Sequence, residues 1–191
     1  MSGERPGLRE RKKAGTRTAI QRHAVRLFGE QGYDATSVEQ IAEAAGVSHR
    51  TVFRYFPTKE SLVTTDDVGE RLAAACRDQP ASLGPVAALR GALRTVLADL
   101  DVAAKRDRQA LVLGVPALWA ASLPSVTATK RVLDELVAER LDRPVTDPRV
   151  RALAGAVFGV LLSVWLDWAA DPELDAAAVL DAALAELDAP S

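Results

Sequence analysis

SVEQIAEAAGVSHRTVFRYFPTK, residues 37–59, reads as two short helices joined by a tight turn, with a further helix beginning just beyond. Ser37 is a helix N-cap, and Gln40 three residues later completes a capping box. Val38, Ile41, Ala42 and Ala45 then recur at helical spacing and mark a buried face. Gly46 stands where an inter-helix turn requires a residue tolerant of positive φ. Ser48 caps the second helix, and Val47 before it can staple onto Val52. Pro57 disfavours helical geometry at Phe56, which keeps that helix short. Thr58 can cap the next one.

The second helix of the pair has two unlike faces. At 100° per residue, Val52, Tyr55 and Phe56 point one way. Arg50, Thr51 and Arg54 point the other, with Phe53 on the flank and His49 at the N-terminal end. An Arg/Thr/Arg face beside an aromatic suits a helix lying in a DNA major groove, where arginine contacts guanine O6 and N7 and apolar groups meet the thymine methyl. Lys59 sits at a helix N-terminus, where free N–H groups and the helix dipole already favour a phosphate. The pattern alone leaves a second reading open, a solvated two-helix corner of an all-α core.

The run from Thr16 to Leu62, about a quarter of the chain, resembles the DNA-binding domain of the TetR family of bacterial transcriptional regulators. The matching pieces are AVRLFGEQGYDATSVEQIAEAAGVS (24–48) and TVFRYFPTKESL (51–62). The resemblance implies that the residues after Ser48 (His49, Arg50, Thr51, Phe53) face base edges; Arg54, on the outward face by helical spacing, and the cap Ser48 join them as candidate DNA contacts. The resemblance also implies that Thr36, Ser37, Tyr55 and Lys59 touch phosphates. Glu39 departs from the pattern of relatives that carry a basic, base-reading residue there. A carboxylate repels phosphate, and no contact is assigned to it.

The charge distribution agrees with a DNA-facing end. The 191 residues carry a net charge of −2, but residues 1–60 hold 11 Lys/Arg against 7 Asp/Glu. The remainder holds 13 against 19. A basic end on an acidic body fits a protein whose one end meets a polyanion. Residues 1–14, with Arg5, Arg9, Arg11, Lys12 and Lys13 among Gly and Pro, read as a disordered basic arm. The arm is either a solubilising tail or a source of added phosphate or minor-groove contacts. It has no apolar core of a signal peptide. The single cysteine, Cys76, excludes an intramolecular disulfide and fits a reducing, cytoplasmic location. Cys76 follows Leu72 and Ala73 at helical spacing and reads as a core residue. His23 and His49 are the only histidines, and no Cys/His cluster accompanies them, so no metal and no cofactor is expected.

The expected architecture is all-α, with about nine helices. An arm (1–14) precedes a three-helix helix-turn-helix domain (15–60) and a helical effector-binding and dimerisation domain (61–188). The first helix spans Thr16 to Gln31, with Ile20, Ala24, Leu27 and Phe28 buried and Gly32 as its C-terminal stop. Beyond the motif, helices are expected over Thr58 to about Asp78 and over Val86 to Lys105. A polar interval (105–109) then leads to the segment ALVLGVPALWAASL, which Pro116 should kink or break. Pro124 or Ser125 opens the next helix, to about Leu141, and further helices follow over 149–170 and about 173–187. From Ala152 to Leu166 only Ser163 has a polar side chain, and a helix apolar all round is expected to be buried all round. The run is short for a membrane span and is bounded by charges, so no membrane role is expected.

No catalytic constellation is present: no HExxH, Walker A loop, G-x-S-x-G or G-x-G-x-x-G occurs. Asp99 and Asp101 point apart on a helix and form no acid/base pair. The chain is therefore not expected to be an enzyme. Val115, Leu118, Trp119, Phe158, Leu162 and Trp165, with Ser122 and Arg108 as polar members, are either plain core or the lining of a pocket for a small, largely apolar effector. The family resemblance favours the pocket. The last two helices suffice for a four-helix dimer interface, with Gly155, Gly159, Leu166, Val179, Leu180 and Leu184 as candidate contacts, and the resemblance implies the same. The expectation is a homodimeric, ligand-responsive regulator, a repressor on palindromic double-stranded operator DNA. Its competitors are a constitutive architectural DNA-binding protein without effector, and a helical carrier or enzyme with an incidental helix-turn-helix.

Overall fold

The computed structural model describes residues 8–171 and 173–188. Among the described residues there are ten helices and no strand. They are α1 (Leu8–Gln31), α2 (Val38–Ala44), α3 (His49–Tyr55), α4 (Ser61–Thr64), α5 (Val68–Arg77), α6 (Pro85–Ala98), α7 (Val102–Gly114), α8 (Pro116–Leu141), α9 (Pro148–Ala170) and α10 (Ala176–Asp188). The chain forms two compact units. One holds the chain up to Thr65 together with Asp107–Ala121, and the other holds Asp66–Arg106 and the chain from Ser122 onward. The first unit is therefore not a contiguous stretch ending at residue 60; it takes in a later segment.

In the first unit, Ile20, Ala24, Leu27 and Phe28 of α1 are buried together with Ile41, Val52, Phe56 and Leu62. The stretch expected to be a disordered arm is helical from Leu8 onward. Leu, Arg, Lys and Ala are good helix formers, and the breakers Pro6 and Gly7 lie ahead of it; residues 1–7 are outside the described residues. Gly32 (φ +87°) and Gly46 (φ +65°) adopt the left-handed backbone that ends α1 and α2. Beyond α3, Thr58 and Ser61 cap each other reciprocally, each side-chain oxygen accepting the other's N–H at 3.2 Å.

Three expected helices have different bounds. The run from Thr58 to Asp78 is two helices, because Asp66 Oδ1 accepts the Val68 N–H (3.3 Å) and competes with continued helix at 65–67. The helix expected to reach Lys105 ends at Ala98. Asp101 Oδ1 accepts the Ala104 N–H (3.1 Å) as α7 opens, so the polar interval 105–109 is helical. Pro116 begins α8 as expected of a breaker, but Pro124 lies inside that helix. It removes one backbone hydrogen bond there, while Thr127 Oγ1 donates to Pro124 O at 2.9 Å.

The core of the second unit joins Leu72 and Cys76 of α5, Leu89 and Leu93 of α6, Leu133, Leu136 and Val137 of α8, Val150, Ala154 and Val157 of α9, and Leu184 of α10. The Arg140 guanidinium donates to the carbonyls of Cys76, Gln79, Pro80 and Leu83. It thereby satisfies the Cys76 carbonyl in the last turn of α5 and ties down the connection that follows it. Arg90 and Arg94 of α6 donate to Asp181 of α10 at 3.0–3.2 Å. These hydrogen bonds, Arg90's first, hold the Asp181 carboxyl below its usual range.

α9 departs from expectation in an informative way. Its apolar surface is continuous, yet only the stripe Val150, Ala154, Val157, Val164 and Trp168 is buried. Ala152, Gly159, Ser163 and Leu166 are exposed on the remaining surface, and nothing within 4 Å would meet a Cβ at Gly155 or Gly159. On α10, Val179 is exposed, whereas Leu180 and Leu184 are buried within the chain. The last two therefore serve the chain's own core and do not face outward as the dimer contacts they were expected to be.

Candidate nucleic-acid interface

The helix-turn-helix is built by its caps. Ser37 Oγ accepts the Gln40 N–H (3.2 Å) and Gln40 Oε1 accepts the Ser37 N–H (2.7 Å). Ser48 Oγ accepts the Thr51 N–H (3.1 Å) and pairs with Thr51 Oγ1 at 2.8 Å. Gly46 N–H donates to Glu43 O and Val47 N–H to Ala42 O, both at 3.0 Å, which closes the turn between α2 and α3. Val52 and Phe56 face the core, and this sets which face of α3 looks outward. His49, Arg50, Phe53 and Arg54 are exposed, while Thr51 and Tyr55 are half-buried. Arg50 has no ion-pair or hydrogen-bond partner among the described residues, and the Arg54 guanidinium lies 5.2 Å from the Tyr55 ring.

Two residues expected at phosphates are held by the fold. Thr36 is 1% exposed, and its hydroxyl donates to Gly32 O (2.8 Å) and Leu27 O (3.2 Å). Its side chain closes the turn after α1 and is not at the surface, which corrects its assignment as a phosphate contact. Lys59 is half-buried; its ammonium donates to Tyr33 O and sits 4.2 Å from the Tyr33 ring centroid and 5.6 Å from that of Phe28. An ammonium has three donors, so this contact leaves two.

The same clasp contains a pair that the sequence did not signal. The Tyr33 hydroxyl donates to Glu60 Oε1 at 2.6 Å. Burial, then this bond to a carboxylate, pushes the Tyr33 phenol well up, and the bond holds the Glu60 carboxyl below its ordinary range. Tyr33 and Glu60 are 27 residues apart, beyond any local spacing rule. The clasp ties the α1–α2 turn to the chain after α3, so it bears directly on where α3 sits. Glu39, given no role by sequence, is 3.0 Å from His49 Nε2.

The residues expected to line an effector pocket divide between the units: Arg108, Val115, Leu118 and Trp119 in the first, Ser122, Phe158, Leu162 and Trp165 in the second. Leu118 and Ser122 are buried and Trp119 is exposed, while Val115, Phe158, Leu162 and Trp165 are half-buried. Arg108 donates to Thr65 O at 3.3 Å. Within the second unit, an open depression of ≈ 560 Å³ is lined by Glu135, Glu139, Asp142 and Arg143 among others and includes none of the expected residues. No group of three or more His, Cys, Asp or Glu is placed to hold a metal ion among the described residues. One helix there, Pro148–Ala170, is long and apolar enough to cross a membrane, but its buried stripe belongs to the core of the second unit.

Comparison with known proteins places these features in context. A model of bacterial regulatory proteins of the tetR family matches residues 20–65, and a model of the MftR C-terminal domain matches residues 83–191. The chain is 35% identical over 187 residues to the HTH-type transcriptional regulator TcmR of Streptomyces glaucescens, a match covering 91% of this chain and 83% of TcmR. It is 29% identical over 179 residues to the putative mycofactocin biosynthesis transcriptional regulator MftR of Mycobacterium tuberculosis, covering 91% and 89% of the two chains. Among solved structures, NalD, the secondary repressor of the MexAB-OprM multidrug efflux pump in Pseudomonas aeruginosa, superposes with a TM-score of 0.62. That match has 25% identity and covers 91% of this chain and 95% of NalD. The SmeT–triclosan complex shares the fold, with a TM-score of 0.63, 20% identity and coverage of 90% and 91%.

The clasp under α3 yields a stability prediction. Tyr33→Phe should cost about 1–2 kcal/mol at neutral pH, the scale of a hydrogen bond to a charged acceptor at a partly exposed site. Glu60 titrates below its ordinary value in the folded chain. The bond's contribution is therefore complete above the unfolded carboxyl value of about 4.3 and is lost as pH falls through the lower folded value. Urea unfolding of both proteins should show the gap closing in acid. A gap unchanged at low pH would assign the cost to packing of the ring.

Proposed function

The chain belongs to the TetR family of bacterial transcriptional regulators and is a DNA-binding regulator; from that premise we propose that it represses transcription as a homodimer on a two-fold-symmetric operator and is released by a small, largely apolar effector. The observation that carries the DNA-binding half is the outward face of α3. On a helix capped at Ser48 and anchored by Val52 and Phe56, it presents exposed His49, Arg50, Phe53 and Arg54. Arg50 is a base-reading side chain in this proposal. Ser37, Tyr55 and the remaining Lys59 donors flank it towards phosphate, as helix ends and hydroxyls commonly do. Homologues across most of the chain are regulators by name, and NalD is a repressor. Regulation in place of chemistry, and a cytoplasmic location with access to DNA, belong to the same reading.

Dimerisation rests on α9 and α10. An apolar helix surface left open by its own chain is a surface for another copy. Gly155, Gly159 and Leu166 of α9 and Val179 of α10 lie on that open surface, and the two glycines let helices approach closely. A dimer presents two recognition helices at a fixed spacing, which a palindromic site matches. Effector binding is assigned to the helical body, with Phe158, Leu162 and Trp165 of the second unit as apolar contacts. SmeT forms a complex with triclosan, which supports a body of this fold accommodating a small ligand.

Selection of DNA from a random pool by the purified protein should return a two-fold-symmetric motif, and Arg50→Ala should cost about 1–3 kcal/mol and relax one or two positions per half-site. A uniform loss on all sequences would make Arg50 a phosphate contact only. Gly159→Leu separates dimer from fold. The chain itself leaves space at Gly159, so the variant should stay helical by circular dichroism yet sediment as a monomer; a variant that remains dimeric would remove Gly159 from the interface. An effector found by quenching of tryptophan fluorescence should weaken operator binding by about 1–3 kcal/mol, and operator should weaken effector binding by the same factor. A tight ligand without effect on operator affinity would overturn the release mechanism.

A further inference from the structure

Glu39 is an anomaly on the face the fold directs at DNA. It occupies the first turn of α2, and its side chain is 70% exposed, where a carboxylate repels phosphate. An exposed ion pair contributes little stability, so the Glu39–His49 contact does not account for itself as a structural element. Its geometry is specific nonetheless. Glu39 Oε1 lies 3.0 Å from His49 Nε2. The imidazole edge also rests on Phe53, with ring centroids 4.6 Å apart at 65°. His49 is thus held from two sides, by α2 and by the next turn of its own helix.

The protonation states follow from the donors and acceptors present. The Glu39 carboxyl is held below its ordinary range by its own backbone N–H first, then by the Ser37 hydroxyl and the nearby His49. An ionised carboxylate only accepts, so at this separation the tautomer with its hydrogen on Nε2 is the one the contact favours. In the neutral ring Nδ1 is then an acceptor, and it has no partner among the described residues. The second carboxylate oxygen is an acceptor as well. The first turns of α2 and α3 together present acceptors, in contrast to the donors of Arg50 and Arg54 one step along the same face.

Base edges in the major groove offer donors of one kind, the exocyclic amines of cytosine (N4) and adenine (N6); guanine and thymine offer acceptors there. We propose that Glu39 is a specificity-determining positioning residue: by fixing His49 through Nε2 it makes the pair an acceptor for an exocyclic amine, and so selects cytosine or adenine at one base pair contacted by each subunit. This rests on the reading of α3 as the recognition helix. The repulsion of phosphate by Glu39 is, on this view, offset only on sequences that supply the amine.

The test uses the full-length protein at pH 8, where the free imidazole is neutral. DNA is selected from a randomised duplex pool by the wild type, Glu39→Ala, Glu39→Gln, His49→Ala and the double Ala variant. The wild type should favour cytosine or adenine over the other bases at one column by roughly tenfold, the scale of one good base contact. Which of the two amines is read follows from the base enriched. Glu39→Ala and His49→Ala should each flatten that same column and leave the others, and the double variant should lose no more than either single one. Glu39→Gln, whose amide oxygen still accepts from Nε2, should keep the column. Affinity of Glu39→Ala for random-sequence DNA should be equal or higher, because a carboxylate has gone from a surface near phosphate. A role confined to holding α2 against α3 would instead weaken all sequences together, and that result overturns the proposal. So does a Glu39→Ala motif identical to that of the wild type, which would leave the DNA-binding reading intact. A wild type that enriches no motif would remove the recognition-helix reading and this proposal with it.

Discussion

The orientation of the outward face of α3 depends on how the turn between α1 and α2 is tied down. Gly32 takes a left-handed backbone, the buried Thr36 hydroxyl donates to the Leu27 and Gly32 carbonyls, and Tyr33 bonds to Glu60 while Lys59 bonds to Tyr33 O. These bonds connect the end of α1 to the chain just after α3. The orientation of α3 is then not left to the short α2–α3 turn alone, whose two helices have seven residues each. Helices of that length are marginal in isolation. Their order comes from caps at both N-termini, from Ile41, Val52 and Phe56 in the core, and from this clasp.

A second constraint is set by α9, whose apolar surface runs all the way round while the chain fully buries only one stripe and leaves Ala152, Gly159 and Leu166 exposed. In water, an uncovered apolar helix face disfavours the monomer at roughly 25 cal/mol per Å² exposed. The constraint and the family's proposed mode of action point the same way. A subunit that pairs through this surface also fixes the distance between two recognition helices. Stability of the assembly and reading of a symmetric site would then be one problem, solved by the same residues.

How much of this was legible in the sequence varied with the range of the interactions concerned. The caps at Ser37 and Ser48, the capping box to Gln40, the left-handed Gly32 and Gly46 and the buried stripe of α1 are all local patterns, and each was read correctly. Helix bounds failed where an aspartate competed with an apolar periodicity. Asp66 and Asp101 turn their carboxylates onto nearby N–H groups and interrupt runs whose apolar residues continue on both sides. Pro124 failed in the opposite sense, because packing carries α8 through the one bond it lacks. Thr36 was misread since a threonine before a cap looks alike whether its hydroxyl meets phosphate or a carbonyl four residues back. Leu180 and Leu184 were misread because core and subunit interface draw on the same residue types. On α10, only the position of the chain's own neighbours tells the two apart.

The polar side chains of the first unit sort themselves by what the fold asks of them. Arg17 lies over Phe56 and Lys59 over Tyr33, Gln21 donates to the Leu62 and Thr65 carbonyls, and Arg26 pairs with Glu30. Each of these has a partner within the chain and a structural task. Arg50 has none among the described residues, and Phe53, 39% exposed on the same helix, meets the His49 ring with centroids 4.6 Å apart. An exposed arginine keeps its own solvation, so its five guanidinium donors stay available to a partner outside the chain. Such a partner would be anionic and wide enough to admit a helix. A DNA duplex meets both conditions, and on the proposed reading the Glu39–His49 pair sets acceptors beside these donors, the alternation that distinguishing one base edge from another requires.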